Sequence, residues 1–435
     1  MRSLTLFFLA VYIVLLITKF LLRKGIYINF ALVNSFTFLN FVLYLLKWSP
    51  LVSEPSNEVY LLILNLTLLS IISILVEKPQ GITYLVYVKN VRAGSASFNF
   101  LDVLNIIVLV MVFAESYILS GGYFFPYLSK IDIHVASLGM YSAILRSLDL
   151  LVFLVNYLQY YSTNKRLYLF FNTLLIVVNL ITNGSRFLVF MMIVSLFVEY
   201  LMYNPLKKKR KTWIFIILIF VVIAIFLVIS VLRLNNYDLQ ANITYKNLIL
   251  YNGPFSETEF LGELFSTYYG YFPLSFNNLN LSIEKFKSYN FQHSYGQLFL
   301  SPLTVGIFKL NKLFDLNYFQ AVYDVTEVTN AAATVPTGLF SAYIDFGNLN
   351  IVCLTLWFLV SLFFVTNIHR SPFFLVNYAG FATFWFTYTN FLDYFLTAVP
   401  LYLFILSFMF FQYFTTVEEV NISGRFRKQF TPGQS

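Results

Sequence analysis

Residues 58–76 read EVYLLILNLTLLSIISILV, an apolar run whose one charged residue, Glu58, stands at its beginning. As a helix that rises about 1.5 Å per residue, a run of this length spans a hydrocarbon layer of about 30 Å. Water is absent from that layer, so the backbone must satisfy its own hydrogen bonds, and a long continuous apolar run does so as a helix. The stretch therefore predicts a membrane-spanning helix. A strand of a membrane β-barrel would instead alternate apolar and polar residues.

Similar apolar runs follow one another along the whole chain. Hydrophobic residues make up 59% of its 435 residues and charged residues only 11%, and the mean hydropathy is +0.74. A soluble globular chain carries about a quarter charged residues. We therefore expect an all-α polytopic membrane protein with about 11 transmembrane helices, in a range of roughly 10 to 12. The predicted spans are residues 3–22, 26–46, 58–76, 99–119, 145–162, 167–185, 187–204, 212–232, 348–368, 373–391 and 395–414.

Basic residues between the spans predict the orientation of the chain. The run KKKRK at residues 207–211 is the densest basic cluster, so we place it in the cytoplasm. Counting outward from it leaves sixteen lysines and arginines in cytoplasmic links and five in short external ones. The amino terminus then lies outside and the carboxyl terminus inside. Because the net charge of +8 is spread over these links, it does not indicate a nucleic-acid partner.

The predicted architecture has four parts. Residues 1–232 carry transmembrane helices 1–8, residues 233–347 form one large extracytoplasmic loop, residues 348–414 carry helices 9–11, and residues 415–435 are a cytoplasmic tail. Loops of this length without a role are uncommon, and loops on a rigid scaffold commonly carry function. We therefore expect the functional site in the large loop and at the outer ends of the helices.

Three arginines at the predicted outer membrane face are candidate ligands for phosphate. Arg186 stands in the tight turn NGSR (183–186) between spans six and seven, where its guanidinium could bind two phosphate oxygens at headgroup depth. Arg233 ends span eight and Arg146 opens span five at the same face, so either could supply a second fork for a pyrophosphate. The alternatives are plain anchoring at the headgroups and, for Arg146, an ion pair with Asp149 three residues later.

Two residues of the large loop are candidates for a catalytic base. His293 is the one histidine of the loop, and an imidazole with a pKa of about 6.5 suits proton transfer. Asp345 is the acid that we single out, in the string Tyr-Ile-Asp-Phe-Gly (343–347) just before span nine. The alternatives are an ordinary surface histidine and a solvated acidic face.

Residues 256–271, SETEFLGELFSTYYGY, are a distinct part of the loop. The opening Ser-x-x-Glu pattern, which ends at Glu259, fits a capping box at the start of a short helix. Glu259 and Glu263 could lie along one face of that helix, where acids can accept hydrogen bonds from sugar hydroxyls or form a solvated face. Tyr268 and Tyr269 add aromatic surface.

The sequence gives no sign of a metal or cofactor site. It has no Asp-x-Asp pattern, and its lone cysteine, Cys353, lies in an apolar run, so neither a metal-dependent nucleotide-sugar site nor a cysteine metal site is expected. Glu115 in span four and Asp393 before the last span are acids near the outer membrane face. Acids inside membranes relay protons in transporters, so these two support a competing hypothesis of transport.

Three features of the chain point to one family. The turn NGSRFLVF (183–190) joins two spans, the string TGLFSAYIDFGNLNIV (337–352) leads into a late span, and one dominant loop precedes the last few helices. In these features the chain resembles the Wzy-type O-antigen polymerases, or oligosaccharide repeat-unit polymerases. Relatives often carry an arginine after a proline in the second half of the loop, where this chain has Leu-Ser-Pro-Leu (300–303). This difference shifts the expected phosphate contacts to Arg186 and Arg233.

The resemblance implies a fold similar to the GT-C-like membrane glycosyltransferases and a metal-independent reaction without cofactors. The enzyme would transfer a growing glycan en bloc from undecaprenyl pyrophosphate to a fresh lipid-linked repeat unit. Arginines would stabilise the leaving pyrophosphate, and a base would take the proton of the acceptor hydroxyl. The implied site residues are His293 and Asp345 for catalysis, Arg186, Arg233 and Arg146 for pyrophosphate, and Tyr268, Tyr269, Glu259 and Glu263 for the glycan.

The resemblance also implies a place and partners for the protein. It would be a multi-pass protein of the bacterial inner membrane, with its large loop periplasmic or extracellular. Its partners would be the undecaprenyl-pyrophosphate-linked oligosaccharide, membrane lipids, and a chain-length regulator and a flippase of the same pathway. Two alternatives stay open: an O-antigen ligase, which uses the same donor, and a polysaccharide flippase or other secondary transporter.

Overall fold

The computed structural model describes both ends of the predicted membrane region and part of the large loop. The described residues are 1–23, 29–48, 52–77, 84–93, 96–125, 138, 140–183, 192–195, 198, 262, 265, 268–270, 272–301, 322, 337–391 and 398–419.

Helices make up most of the described residues. They are α1 (Arg2–Arg23), α2 (Phe30–Leu45), α3 (Asn57–Val76), α4 (Phe100–Leu119), α5 (Met140–Thr163), α6 (Leu167–Asn183), α7 (Pro273–Ser288), α8 (Gln297–Ser301), α9 (Leu339–Phe346), α10 (Ile351–Asn367), α11 (Pro372–Phe391) and α12 (Ala398–Phe414). The strands are β1 (Tyr84–Val88), β2 (Asn90–Ala93), β3 (Ala96–Asn99) and β4 (Thr415–Glu419).

Nine of the predicted spans coincide with described helices, namely α1–α6 and α10–α12. Spans 187–204 and 212–232 lie outside the described residues, apart from a few positions of the first. Five of the described helices are long and apolar enough to cross a membrane: α1, α3, α4, α5 and α10 with the turn after it. The helices α2, α6 and α12 are apolar but shorter. The chain is therefore mostly helical, with five candidate membrane-spanning helices in its described part.

Side-chain caps explain where two of these helices begin. Asn29 Oδ1 accepts a hydrogen bond from the Leu32 N–H at 2.9 Å, at the start of α2. Asn99 Oδ1 accepts from the Leu101 N–H at 3.2 Å, at the start of α4. In both cases the side chain supplies a partner for a first-turn N–H that has none within its own helix.

Two small two-stranded sheets accompany the helices. The strand β1 pairs antiparallel with β4, with Val86 opposite Val417, and β2 pairs with β3 as a hairpin. Val86 is buried and Val417 is exposed. The strand β4 lies in the predicted cytoplasmic tail, where the Thr-Thr-Val sequence favours extended backbone. Its partner strand β1 is far away in the chain, so no local sequence pattern predicts the pairing.

Unit 1 of the structure consists of Met1–Glu77, Leu206–Leu362 and Ala382–Ala398. Within it, α1 and α2 pack on α3, α7 packs on α2 and α3, and α9 packs on α7 and α8. Polar groups between these helices bond to each other. Trp385 Nε1 donates to Asn34 Oδ1 at 2.8 Å, and Asn34 Nδ2 donates to Ser70 Oγ at 3.0 Å.

Unit 2 consists of Lys78–Pro205, Phe363–Phe381 and Val399–Ser435. Within it, α4, α5 and α6 pack on one another pairwise, and α5 also packs on β1. Interiors of membrane helix bundles commonly hold polar side chains that bond between helices. The α4–α5–α6 bundle follows this pattern, because Asn156 Nδ2 lies 2.8 Å from Asn105 Oδ1 and 2.9 Å from Asn172 Oδ1.

Candidate functional site

A segment of the large loop is docked on the string that precedes the late helix α10. We call His293–Phe299 the docked segment and Tyr343–Gly347 the YIDFG motif. Two backbone hydrogen bonds join them: the Ser294 N–H donates to the Ile344 carbonyl at 3.0 Å, and the Tyr295 N–H donates to the Asp345 carbonyl at 2.8 Å. This segment is therefore held against the residues that lead into α10.

The Asp345 carboxylate is the main polar contact of the docked segment. Its Oδ1 accepts from Ser294 Oγ at 2.5 Å and from the Leu298 N–H at 3.0 Å, and its Oδ2 accepts from the Phe299 N–H at 2.9 Å. Burial raises the pKa of Asp345, and these hydrogen bonds, with one from the Gly296 backbone, act in the opposite direction. Both carboxylate oxygens are thus engaged in holding the segment, and the residue is a positioning group in this geometry.

His293 packs against the YIDFG motif, to which Asp345 belongs. Its Nδ1 is 3.2 Å from the Ile344 carbonyl, its ring stacks on Phe286 with centroids 5.3 Å apart, and it meets Tyr343 edge-on at 5.6 Å. A carbonyl only accepts hydrogen bonds, so Nδ1 carries the hydrogen and Nε2 of the neutral ring carries the lone pair. In the described part of the chain, Nε2 has no hydrogen-bond partner. The half-buried imidazole is therefore oriented as a proton acceptor.

Gly347 leaves the space in which the histidine ring fits. Its φ is +52°, a backbone conformation that L side chains rarely adopt. A Cβ at this position would stand 2.5 Å from His293 Nε2. The glycine of the YIDFG motif is therefore required both by its own backbone and by the approach of His293.

The string before the motif is anchored to α11. The Gly338 N–H donates to the Tyr388 carbonyl at 2.7 Å, and the Ser341 and Tyr388 hydroxyls are hydrogen-bonded. A cavity of about 10 Å³ lies below, which is about the space of one water molecule and far less than a sugar. Its lining residues are Leu298, Phe299, Ser341, Asp345, Cys353, Trp357 and Tyr388. The cavity is therefore too small to hold a sugar ring.

Aromatic rings continue outward from His293. The Tyr289 ring lies 6.0 Å from Phe291, and Phe291 lies 5.6 Å from Phe286, which stacks on the histidine. Tyr289 is 62% exposed and Tyr295 is 79% exposed. Exposed tyrosine rings in the same unit as the oriented histidine offer surfaces on which sugar rings can stack.

Charged groups stand at the edge of the same unit. Lys287 Nζ forms an ion pair with Glu58 Oε1 at 2.6 Å. Burial raises the pKa of Tyr343 to about 12, and the nearby Glu58 charge adds to that increase. Tyr343 is therefore a neutral hydrogen-bond donor at any ordinary pH. An ion pair next to a neutral phenol can orient polar hydroxyl groups of a ligand.

The two tyrosines predicted to bind the glycan lie elsewhere in unit 1. Tyr268 donates its hydroxyl hydrogen to Asn40 Oδ1 at 2.6 Å, and burial raises its pKa. Tyr269 is fully buried, with its ring 6.1 Å from both Trp48 and Phe265. Both hydroxyls are hydrogen-bonded to α2, to Asn40 and to the Leu43 carbonyl, and the Tyr269 ring is buried. The exposed rings Tyr289 and Tyr295 are better placed for stacking.

The predicted pyrophosphate ligands are mostly beyond the described residues. Arg186 and Arg233 lie outside them, and so do Glu259 and Glu263, which were predicted to bind the glycan. Arg146 is half-buried on α5 of unit 2. The described residues show no ion pair between Arg146 and Asp149, because Asp149 Oδ2 accepts from Asn179 Nδ2 at 2.8 Å instead.

The structure thus brings together His293 and Asp345 among the predicted site residues, through Ser294 and Ile344. Sequence reasoning missed the docked segment itself, since its contacts join residues about fifty positions apart. Two glycines with positive φ, Gly296 and Gly347, were the available signal, because glycine is the residue that adopts such backbone freely. No protein-family model, curated protein or solved structure matches this chain, so its resemblance to the O-antigen polymerases stays a hypothesis.

Proposed function

We propose that this protein polymerises lipid-linked oligosaccharide repeat units into a surface polysaccharide, such as an O-antigen or a capsule. It does so by en bloc glycosyl transfer from polyprenyl pyrophosphate at the outer face of the bacterial inner membrane. The observation that carries the proposal is the geometry of His293. Its Nδ1 hydrogen is held by the Ile344 carbonyl, its Nε2 is the acceptor nitrogen, and the exposed Tyr289 is linked to it through the rings of Phe291 and Phe286.

Each bond, proton and charge of the transfer step can be accounted for with the residues assigned here. The acceptor hydroxyl oxygen attacks the anomeric carbon of the growing glycan, and the bond between that carbon and the pyrophosphate oxygen breaks. His293 Nε2 takes the hydroxyl proton, which strengthens the nucleophile. The lipid pyrophosphate leaves with the negative charge, and an arginine fork stabilises that charge without a metal ion. We assign the fork to Arg186 and Arg233, with Arg146 as the third candidate.

Asp345 has a different part in this proposal from a base. Its oxygens are engaged by Ser294 and by two backbone N–H groups, so it fixes the segment that carries His293. His293 then remains as the base. The exposed Tyr289 and Tyr295 take over the stacking that the buried Tyr269 cannot provide.

The proposal is tested in a strain that lacks the gene and carries it back on a plasmid. Surface polysaccharide is separated on a gel that resolves chains by repeat number. Wild type should restore a ladder, whereas His293→Ala, Arg186→Ala and Arg186→Lys should stop at one repeat unit at equal membrane abundance. Loss in Arg186→Lys specifically supports a bidentate phosphate contact, because lysine keeps the charge but not the fork.

Other results would move the assignment. If the deletion leaves long chains intact, the protein is not the polymerase. If the deletion leaves the lipid A core without any repeat unit while lipid-linked polymer accumulates, the protein is a ligase.

Secondary transport is the second candidate, and one observation favours it. Glu115 and Asp149 are both buried in candidate membrane-spanning helices of unit 2. Buried acids in such helices are a common feature of proton-coupled transporters. Uptake of lipid-linked repeat units into proteoliposomes, driven by a pH gradient, would support transport over polymerisation.

A further inference from the structure

Polar side chains form layers inside the α4–α5–α6 bundle. One layer consists of three asparagines, one from each helix. Asn105 Nδ2 lies 2.9 Å from Asn156 Oδ1, Asn156 Nδ2 lies 2.9 Å from Asn172 Oδ1, and Asn172 Nδ2 donates to the Phe153 carbonyl at 3.0 Å. Every amide of this layer is engaged, so the layer has the properties of plain polar packing between membrane helices.

The next layer, two helical turns along α5, is different. It consists of Asp149 on α5, which is 1% exposed, and Asn179 on α6, which is fully buried. Asn179 Nδ2 donates to Asp149 Oδ2 at 2.8 Å and to the Leu175 carbonyl at 2.9 Å. Asp149 Oδ1 and Asn179 Oδ1 are both buried, and neither has a hydrogen-bond partner among the described residues. Two residues that are hydrogen-bonded to each other thus each carry an acceptor oxygen that lacks a donor in the described part of the chain.

The charged groups around this layer do not supply the missing donor. On α4 the acids are Asp102 and Glu115, and Glu115 Oε1 accepts from Ser142 Oγ. On α5 the one cation is Arg146, which forms no ion pair with Asp149 in the described residues. The helix α6 and the strand β1 carry no lysine, arginine, histidine or acid, and the tyrosines on these elements are neutral below about pH 10.

We propose that Asp149 and Asn179 form a proton-binding site in the interior of the α4–α5–α6 bundle, with the proton on Asp149 Oδ1 and Asn179 Oδ1 as its acceptor. One proton then satisfies both orphaned oxygens. The pair becomes a cyclic acid–amide dimer, in which Asn179 Nδ2 donates to Oδ2 and the acid hydroxyl donates to Asn179 Oδ1. The negative charge also disappears from a place where the described residues offer it no counter-ion.

A proton fits this site better than a metal cation does. Hard cations bind through about six or more oxygens, and the layer offers two free ones. No cluster of three or more histidines, cysteines or acids occurs among the described residues. The site is independent of the proposed polymerase activity, since it uses none of the residues assigned to that reaction.

Infrared spectroscopy of the full-length protein in lipid nanodiscs at pH 7 tests the site directly. Aspartate labelled with carbon-13 in its carboxyl group identifies bands from aspartates and leaves those from glutamates unshifted. Wild type should show a protonated-carboxyl band that moves in D2O and carries the isotope shift. Asp149→Asn should lose this band, and the matched control Glu115→Gln, which removes the other buried acid of the bundle, should keep it.

A second variant tests the pairing with the asparagine. In Asn179→Leu, the acid loses both its acceptor and its donor, so its carbonyl band should move to higher frequency. An unchanged band in Asn179→Leu would overturn the pairing, even if Asp149→Asn fails to fold. Wild-type and Asp149→Asn spectra that coincide at pH 7 would show that Asp149 is a carboxylate and would overturn the proton site. A band that appears only when sodium is withheld would assign the layer to a cation.

Discussion

Gly347 is under two separate constraints, and they can be distinguished by experiment. Its φ of +52° disfavours any side chain, and a Cβ would stand 2.5 Å from His293 Nε2. Gly121 also has a positive φ of +70°, but nothing lies within 4 Å of its missing Cβ. A comparison of substitutions at Gly347 and Gly121 therefore separates the effect of backbone strain from the effect of displacing His293.

We expect Gly347→Ala to abolish polymer formation, because the added methyl group displaces His293 from its hydrogen bond. Backbone strain at such a position costs about 1–3 kcal/mol. Gly121→Ala should show a comparable loss of thermal stability and retain activity. Ladder gels and thermal unfolding of the detergent-solubilised proteins give the two readouts. A normal ladder from Gly347→Ala would contradict the assigned place of His293.

Asp345→Asn should weaken the docked segment. One of the two side-chain positions becomes an NH2 group that faces a backbone N–H, either of Leu298 or of Phe299. A buried donor left without an acceptor costs about 1–3 kcal/mol. We expect a lower unfolding temperature and faster hydrogen exchange at residues 294–299, together with reduced activity. Full stability with complete loss of activity would instead identify Asp345 as the catalytic base.

The ionisation of Glu77 makes the free energy of unfolding depend on pH. Burial raises the pKa of Glu77 to about 7, while Ser73, Lys19 and the Phe30 N–H act in the other direction. The folded state then binds a proton more readily than the unfolded one, so the contribution of Glu77 falls as pH rises from about 4.5 to about 7. Glu77→Gln mimics the protonated form. It should raise the unfolding temperature at pH 8 and leave it unchanged at pH 4; equal effects at both values would contradict the shift.

At the scale of the element, the helix α7 is the clearest case that sequence reasoning did not reach. Its sequence, PLSFNNLNLSIEKFKS, lacks an apolar run and carries several asparagines. The structure shows why they are buried. Asn277 Oδ1 accepts from the Ser53 N–H at 2.8 Å, and Asn280 Oδ1 accepts from the Ser56 N–H at 2.7 Å. Contacts between residues so distant in the chain leave no local pattern.

Loss of one of these contacts should be costly. Asn280→Ala removes the acceptor of the Ser56 N–H, together with donations to Ser53 Oγ at 3.0 Å and to the Glu54 carbonyl at 3.1 Å. We expect a loss of about 1–3 kcal/mol, seen as a lower unfolding temperature. Asn367→Ala is the control, because that asparagine is half-buried and its hydrogen bonds stay within the last turn of its own helix. Equal stability of the two variants would show that α7 is not held by these bonds.

The apolar helices were predictable for a physical reason. In a hydrocarbon layer the length of a helix is set by the thickness of the layer. An apolar run of that length therefore predicts both that a helix forms and where it begins and ends. The prediction of residues 58–76 agrees within one residue with α3, and 99–119 agrees within one residue with α4. The sheet of β1 and β4 has no such rule behind it, because its register depends on a partner strand at the other end of the chain.

At the scale of the whole molecule, sequence reasoning found two of the residues that the candidate site contains, but not how they act. His293 and Asp345 were both picked as acid–base candidates from residue type and context. Their difference in role follows from hydrogen bonds that only the fold provides: three donors engage Asp345, and one carbonyl orients His293. Tyr269 was predicted to be exposed aromatic surface, but its ring is buried beside Trp48 and Phe265. The local sequence does not show these contacts.

The most direct test of the account uses purified protein in liposomes with a repeat unit linked to undecaprenyl pyrophosphate. Chain growth and release of the lipid pyrophosphate are measured for wild type and His293→Asn. The asparagine keeps a donor for the Ile344 carbonyl but removes the Nε2 acceptor. We predict that wild type forms chains, and that the variant is slower by about 10²–10⁴-fold at an unchanged unfolding temperature. Wild-type rates in His293→Asn would contradict the assignment of the base, and the absence of chains with wild type would contradict the polymerase function.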